Sequence, residues 1–191
     1  MAMPAHTEAA RLWTPDEVRT LNEASSDTRF ECIDGELLVT PAPSYDHQEA
    51  AFRLARALHD YLHARRIGHV FLAPAEVQLD LRSLVQPDLF VAPLVDGRRP
   101  RGHELVSRLL LAAEILSPST ARYDRVTKRR YYQRAGTPEY WIVDVDARLI
   151  ERWRPADERP ELLDATLAWH PDDASEPLTL DVARYFSDVM G

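Results

Sequence analysis

Residues 109–120 read LLLAAEILSPST, and this stretch decides the fold. Its nearly continuous apolar run through Leu116 predicts a central strand that is covered on both faces. The Ser-Pro-Ser-Thr sequence that follows offers caps for a helix, which is predicted to run to about Ala135 and to stop at Gly136. The stretch therefore predicts a buried strand that leads directly into a helix.

The flanking sequence supplies further helices and strands. Residues 14–17 carry a capping-box pattern for a first helix, and Asp34-Gly35 predicts the turn of a hairpin. Apolar residues recur with a 3.6-residue period over residues 44–66, which predicts a long amphipathic helix. Short strands are predicted at 69–73, 76–81, 88–91, 139–145, 149–154 and 161–169, with a terminal helix within 180–190. This order predicts a mixed α/β fold in a single domain over residues 1–191.

Composition excludes several classes of protein. The chain has 191 residues, of which 45% are hydrophobic and 28% charged, so it suits a globular core and not a disordered chain. No apolar run approaches the roughly 18–20 residues that span a bilayer, and the N-terminus lacks a secretory pattern. The single Cys32 excludes an internal disulfide. We therefore expect a cytoplasmic protein without membrane contact.

The formal net charge of −8 is unevenly distributed. Residues 1–40 carry eight acids and three Arg, and residues 155–191 carry nine acids and two Arg. The middle, residues 41–154, therefore holds fourteen acids and eighteen bases, a net charge of +4. This excess is either ordinary solvated surface or a basic face that can hold a phosphate backbone.

Among the 23 basic residues, 22 are Arg and one is Lys, at position 128. An ammonium group is more compact than a guanidinium group and can approach a reacting phosphate or water as a point charge. Lys128 also stands four residues after Asp124, the spacing of an ordinary surface ion pair on a helix. From the residues alone, an active-site lysine and a surface pair both remain open.

Two acids lie on predicted strands of the core. Asp88 follows Pro87 at the start of one strand, and Glu114 lies inside the apolar run of another. A buried carboxylate is costly unless it is paired or binds a metal, so Glu114 forms either a salt bridge to an Arg or part of a metal site. Carboxylates on neighbouring strands can share one Mg²⁺ or Mn²⁺ ion, with the Ile115 carbonyl as a third ligand. Neutralising either acid is expected to leave the metal-free protein equally stable or more stable.

A longer pattern joins these residues. It consists of Pro87-Asp88, Glu114-Ile115-Leu116-Ser117-Pro118-Ser119-Thr120, Asp124, Lys128, Tyr131, Gly136 and Glu139-Tyr140-Trp141-Ile142-Val143-Asp144. This pattern resembles the Uma-type restriction endonucleases, a family of the PD-(D/E)XK nuclease superfamily. The resemblance covers roughly residues 14–155, and residues 156–191 form a C-terminal β/α extension.

The resemblance implies a restriction-endonuclease-like core, in which a central mixed sheet is flanked by helices. It also implies Mg²⁺-dependent endonuclease cleavage of phosphodiester bonds in DNA, with Asp88 and Glu114 as metal ligands. The third motif position holds Leu116 where the superfamily has Lys. The resemblance suggests that this lysine has moved to the following helix, at Lys128, which makes Asp88, Glu114 and Lys128 the predicted catalytic residues.

Further candidates are auxiliary. Glu31 on the hairpin and His47 at the start of the long helix are possible auxiliaries of the site, although an outward acid and a surface histidine are the ordinary alternatives. The His59 and His63 pair either binds Zn²⁺ or is a solvated helix face. A nucleic-acid-binding face is predicted on the helix after the central strand, from Arg122, Arg125, Arg129 and Arg130.

Two other functions stay open at this point. The chain is either an active nuclease or a catalytically inactive module of the same fold that binds nucleic acid or protein. An unrelated oligomeric scaffold is a third possibility. A homodimer is expected by analogy with nucleases that cut both strands.

Overall fold

The structure is a computed structural model that describes residues 11–26, 28–171 and 176–191. The α-helices of this part of the chain are α1 (Pro15–Ala24), α2 (Tyr45–Arg65), α3 (Ala121–Tyr123), α4 (Arg129–Arg134) and α5 (Val182–Met190). The strands are β1 (Arg29–Ile33), β2 (Glu36–Thr40), β3 (Gly68–Leu72), β4 (Val77–Asp80), β5 (Ser83–Val85), β6 (Leu89–Pro93), β7 (Leu111–Ile115), β8 (Tyr140–Asp144), β9 (Leu149–Trp153), β10 (Glu161–Leu163), β11 (Thr166–Trp169) and β12 (Leu178–Asp181).

A six-stranded mixed sheet with the order β10-β9-β8-β7-β6-β3 forms the centre of the fold. Strand β7 runs parallel to β8 and antiparallel to β6, and every residue of β7 is buried. A second sheet has the order β2-β1-β5-β4, and β11 pairs with β12. The predicted central mixed sheet is therefore confirmed, with β7 in its interior.

Alternation along β7 decides what each side of the sheet carries. Leu111, Ala113 and Ile115 pack in the cluster that includes α2 and α5. Ala112 points to the opposite side, where it packs with Tyr131 of α4 and with residues of the second sheet. Because successive side chains of a strand point to opposite faces, Glu114 belongs to this second side. Helices thus cover both faces of the sheet, and the Glu114 side chain lies on the face that α4 covers.

The helical segment after β7 is continuous but irregular. Between α3 and α4, residues Asp124–Lys128 form a π-helical turn, which we call the π segment. The Arg129 N–H reaches the Asp124 carbonyl five residues back, the spacing that defines a π turn. Single π turns inside α-helices frequently occur at functional sites. The helix then ends near Gly136, whose positive φ suits a helix stop, as predicted.

Two element predictions are wrong, and one strand was missed. Residues 161–169 form two strands, β10 and β11, in separate sheets. The terminal helix is confirmed as α5, and strand β12, which was not predicted, precedes it. Strand β5 was predicted to be a loop, because three residues are too few to show a strand period. The predicted boundary at residue 155 stays a prediction, and β10 beyond it adds an edge strand to the central sheet. None of the helices within the described residues has the length and apolar character to cross a membrane.

Candidate active site

Asp88 and Glu114 meet at one end of the central sheet. Leu89 pairs with Ala113, so Asp88, just before β6, and Glu114, on β7, are brought side by side. The Asp88 main-chain N–H donates to Glu114 Oε2 at 3.3 Å, and the Ile115 N–H donates to Asp88 Oδ2 at 2.9 Å. The two predicted strand acids are therefore held side by side, Glu114 by the backbone of Asp88 and Asp88 by the backbone of Ile115.

Lys128 points from the π segment into this pair of strands. Its Nζ lies 2.8 Å from Glu114 Oε1 and 3.0 Å from Glu31 Oε2, and the residue is only 3% exposed. The alternative of a surface pair with Asp124 is wrong, because both residues are buried and Lys128 is paired elsewhere. The alternative of a salt bridge from Glu114 to an Arg is likewise replaced by the pair with Lys128.

Glu31 fixes the lysine from the other side. It lies on β1 and is 2% exposed, so the alternative of an outward-facing acid is wrong. One carboxylate oxygen accepts the Gln86 N–H at 2.7 Å, and the other contacts Lys128. Because both oxygens are engaged, Glu31 positions the ammonium group between two acids.

His47 and Arg29 hold the Asp88 carboxylate. Ser44 caps α2 by accepting the His47 N–H, which places the imidazole on the first turn. His47 Nε2 lies 2.9 Å from Asp88 Oδ2, and the Arg29 guanidinium lies 3.3 Å from Oδ1. His47 was a candidate in the sequence, whereas Arg29 was missed. The available signal is strand alternation, since Arg29 is two residues before Glu31 on β1.

Asp124 is the second residue that sequence reasoning missed. It was part of the pattern that resembles the family but was given no role beyond that of a surface partner of Lys128, whereas it is 2% exposed and faces the same cavity. Burial raises the pKa of Asp124 to about 6, opposed by Lys128 and by a hydrogen bond from Thr120. Its fourth-residue spacing from Lys128 was the available signal, because on a helix such residues share one face.

The two strand acids differ in their electrostatics. Burial by itself raises the pKa of Asp88, but the hydrogen bond from His47, together with Arg29 and Lys128, lowers the pKa of this carboxyl below its ordinary value. Burial raises the pKa of Glu114 well above its ordinary value, and the neighbouring carboxylates raise it further while Lys128 opposes them. Asp88 is thus held as a carboxylate. Glu114 is surrounded by other acids, so its protonated form is favoured.

These residues line a cavity of about 360 Å³, which is also walled by residues 40–44, 46–47 and 115–120. Its buried acids are Glu31, Asp88, Glu114 and Asp124, and its cations are Lys128 and Arg29. The four buried acids of this cavity outnumber its two cations.

The donor set fits a hard divalent cation. Asp88 and Glu114 supply two adjacent carboxyl groups, and one or two carboxylates typically hold Mg²⁺ while water and phosphate oxygens complete its shell. Within the described residues, no group of three or more His, Cys, Asp and Glu side chains forms a complete metal cage. An ion held by Asp88 and Glu114 would therefore keep positions for water or substrate oxygens.

The predicted nucleic-acid-binding arginines fall into two pairs. Arg125 forms salt bridges with Asp144 and Glu151, and Arg129 stacks over the Trp153 ring with its guanidinium carbon 4.6 Å from the ring centroid. Arg122 and Arg130 are exposed, and neither has an ion-pair partner among the residues that the structure describes. Arg122 and Arg130 are therefore the two that face solvent.

Comparison with known proteins places the chain in a family. A family model for Uma2, described as "putative restriction endonuclease", matches residues 15–183. The chain belongs to the Uma2 family. The crystal structure of a "putative nuclease belonging to DUF820" from Anabaena variabilis is similar to this Uma2 protein, with a TM-score of 0.70 and 22% identity over 93% of this chain and 99% of that chain. This likeness supports the restriction-endonuclease-like fold. No curated protein matches the chain.

Proposed function

We propose that this Uma2 protein is a metal-dependent nuclease that hydrolyses phosphodiester bonds in DNA. The observation that carries the proposal is the convergence of Asp88, Glu114 and Lys128 in one cavity, from two neighbouring strands and the π segment. The sequence separates these residues by up to 40 positions. The family description as a "putative restriction endonuclease" supports nuclease activity.

Asp88 and Glu114 would hold Mg²⁺ or Mn²⁺ in this cavity. When bound, such an ion lowers the pKa of a water and neutralises charge on a phosphoryl group. His47 and Arg29 orient the Asp88 carboxylate, in the way that outer hydrogen bonds commonly fix the ligands of a metal site. The low pKa of Asp88 keeps the carboxylate ionised and able to bind a cation.

Lys128 acts on the reacting phosphate or on the attacking water. Its ammonium has three N–H donors, two of which are engaged by Glu31 and Glu114. The third donor is available to an oxygen in the cavity, where it stabilises negative charge that develops on the phosphate. Glu31 is a positioning residue in this scheme, because it holds the Lys128 ammonium group and is not one of the two proposed metal ligands.

Plasmid cleavage tests the proposal. We expect wild-type protein to nick or linearise supercoiled DNA with Mg²⁺ or Mn²⁺ and to be inactive in EDTA. Glu114→Gln should lose at least about a hundredfold in rate, as expected when a charge-stabilising group is removed. The matched control is Asp46→Asn, since Asp46 lines the cavity at an exposed position. Failure of every metal to support cleavage would leave the alternative of an inactive module of the same fold.

Two further arms test the metal and the substrate. Mn²⁺ titration by calorimetry should show a site that weakens about tenfold or more in Glu114→Gln but not in Asp46→Asn. RNA of the same sequence should be cut more slowly than DNA, and faster cleavage of RNA would reverse the substrate assignment. The predicted homodimer stays a prediction, which sedimentation of the purified protein checks.

A further inference from the structure

A second cavity of about 360 Å³ lies at the other end of α2 from His47. Its polar lining residues are His59, His63, Arg66, His69 and Arg99. No acidic side chain is among its lining residues in the described part of the chain. The proposed active site does not use this cavity.

Three histidines form one wall. The His59 and His63 rings stack with centroids 5.6 Å apart, and the His69 ring meets His59 edge-on at 6.3 Å. His69 supplies the third imidazole that the sequence did not reveal. The zinc alternative for this pair is not favoured, since the described residues contain no group of three such side chains arranged to hold a metal.

Two arginines reach the cavity from separate segments. Arg66 caps the C-terminus of α2 in a left-handed conformation. Its guanidinium group lies beside Gly97. Arg99 comes from the turn after the Val95 and Arg98 bridge. Neither Arg66 nor Arg99 has an ion-pair partner in the described part of the chain. The fold thus gathers fixed positive charge at this cavity without an internal anion.

The electrostatics of His69 agree with this arrangement. Burial lowers the pKa of His69, and Arg99 and His59 lower it further by repulsion. The lowered pKa favours the neutral form of His69, so the fixed positive charge of the cavity comes from the two arginines, and an external anion can neutralise it. Arginine forks and imidazole N–H groups are donors suited to phosphate oxygens.

We infer that this cavity binds a phosphate group of a nucleic-acid backbone, as a second contact for the DNA that enters the active site. The inference rests on the proposed function for its choice of phosphodiester. His47 and His63 are sixteen residues apart on α2, about 24 Å along the helix axis. A duplex covers that distance in about seven base-pair steps. One duplex is therefore long enough to reach both ends of α2.

Two titrations in EDTA test the inference without cleavage. Inorganic phosphate should shift the imidazole NMR signals of His59, His63 and His69 saturably, and a 16-base-pair duplex should bind in a fluorescence anisotropy assay. Arg66→Gln and Arg99→Gln should each weaken both affinities about fivefold. The matched controls are Arg65→Gln and Arg98→Gln, which remove the same charge at adjacent positions outside the cavity. Both controls should bind as the wild type does.

The outcomes separate this site from the proposed active site. Glu114→Gln should retain the phosphate shifts, so loss of cleavage alone does not affect the inference. Absent shifts, or equal effects of cavity and control variants, would overturn it. Phosphate binding that depends on Arg66 and Arg99, with unchanged duplex affinity, would also overturn it, because the ligand would then be a small phosphate compound.

Discussion

The two ends of α2 lie at cavities of similar volume and opposite charge. At the N-terminal end, the cavity beside His47 contains four buried acids around Lys128 and Arg29. At the C-terminal end, the second cavity contains two arginines and three histidines and no acid among its lining residues in the described chain. One cavity therefore suits a cation and the other an anion, although the same helix reaches both.

This difference shows how little the net charge reveals about a site. The formal charge of −8 is a sum over both cavities. The excess of four bases over residues 41–154 leaves out Arg29 and Glu31 of the first cavity. The ion that a cavity binds depends on where the fold gathers charged side chains without enough partners of the opposite sign. The acidic end is crowded with carboxylates, and the basic end has guanidinium groups without acids. Each end can be altered separately, which makes the comparison open to experiment.

The largest expected effect is the loss of cleavage when the Lys128 amine of the acidic cavity is replaced. Lys128→Arg keeps the positive charge, but a guanidinium group is wider and cannot occupy the same position between Glu31 and Glu114. Single-turnover cleavage at saturating Mn²⁺ should fall about 10²–10³-fold. Wild-type rates in Lys128→Arg would show that the lysine does not touch the reacting groups.

A control must separate this loss from misfolding. Lys128 is buried, so thermal unfolding should be measured on the same samples. Lys128→Met provides a slimmer, uncharged second variant, and it should lose cleavage to at least the same extent. Arg134→Lys is the matched exchange at an exposed position of α4, where Arg134 pairs with Asp34, and it should cleave as the wild type does.

Repulsion among the buried acids of the active-site cavity should change the free energy of unfolding. The folded-state pKa of Asp124, about 6, lies above its ordinary value of 3.8, so the folded state binds this proton more tightly than the unfolded state. Stability is therefore greatest below about pH 4 for this group and falls as the pH rises to about 6. Asp124→Asn should raise the free energy of unfolding by about 1–3 kcal/mol at pH 7.

Denaturant unfolding in EDTA between pH 3 and pH 7 measures this effect. The gain from Asp124→Asn should shrink as the pH falls and approach zero below about pH 4, where the carboxyl becomes protonated in both states. Asp16→Asn is the control, because this acid is on the exposed first turn of α1 and should show no such trend. A gain that is independent of pH would mean that repacking, not charge, explains the stabilisation.

Asp88 should respond in the opposite direction, by about 1–2 kcal/mol. Its pKa is lowered by His47, Arg29 and Lys128, so its carboxylate stabilises the fold above its ordinary pKa and loses that effect as the pH falls. Asp88→Asn should destabilise the metal-free protein at pH 7, whereas Glu114→Gln should leave it unchanged or more stable. The sequence predicts one behaviour for both acids. Equal unfolding energies for the two variants would favour that simpler expectation.

Much of the fold is predictable from local patterns. The apolar run of β7, the period of α2 and the Asp34-Gly35 turn each have a local cause. Asp34 and Gly35 both have positive φ, as a tight hairpin turn requires. The short strands β5 and β12 were not predicted, because three or four residues show little period of their own. Their pairing partners, β1 and β4 for β5 and β11 for β12, become visible only in the fold.

The site was predictable where sequence pattern and chemistry agree. Asp88, Glu114 and Lys128 were predicted, and the structure brings them together. Arg29 and Asp124 were not predicted as members of the site. Their roles depend on which way a hairpin strand and a π turn point their side chains, and these directions are set by packing. The same holds for the basic cavity, whose third histidine comes from another element.

The smallest expected effect concerns the exposed arginines of the helix after β7. It tests whether DNA contacts this helix as well as the second cavity. Arg122→Gln and Arg130→Gln should each weaken duplex binding in EDTA about threefold and lower the slope of log affinity against log salt by about one, because each phosphate contact releases counterions. Arg129→Gln should lower stability and leave the salt slope unchanged, since Arg129 is engaged with Gln133 and Trp153. Arg11→Gln removes a charge far from both cavities in sequence and serves as the baseline. If Arg11→Gln weakens binding as much as Arg130→Gln does, the helix is not a contact face, and the second cavity at Arg66 and Arg99 would remain the only proposed phosphate contact outside the active site.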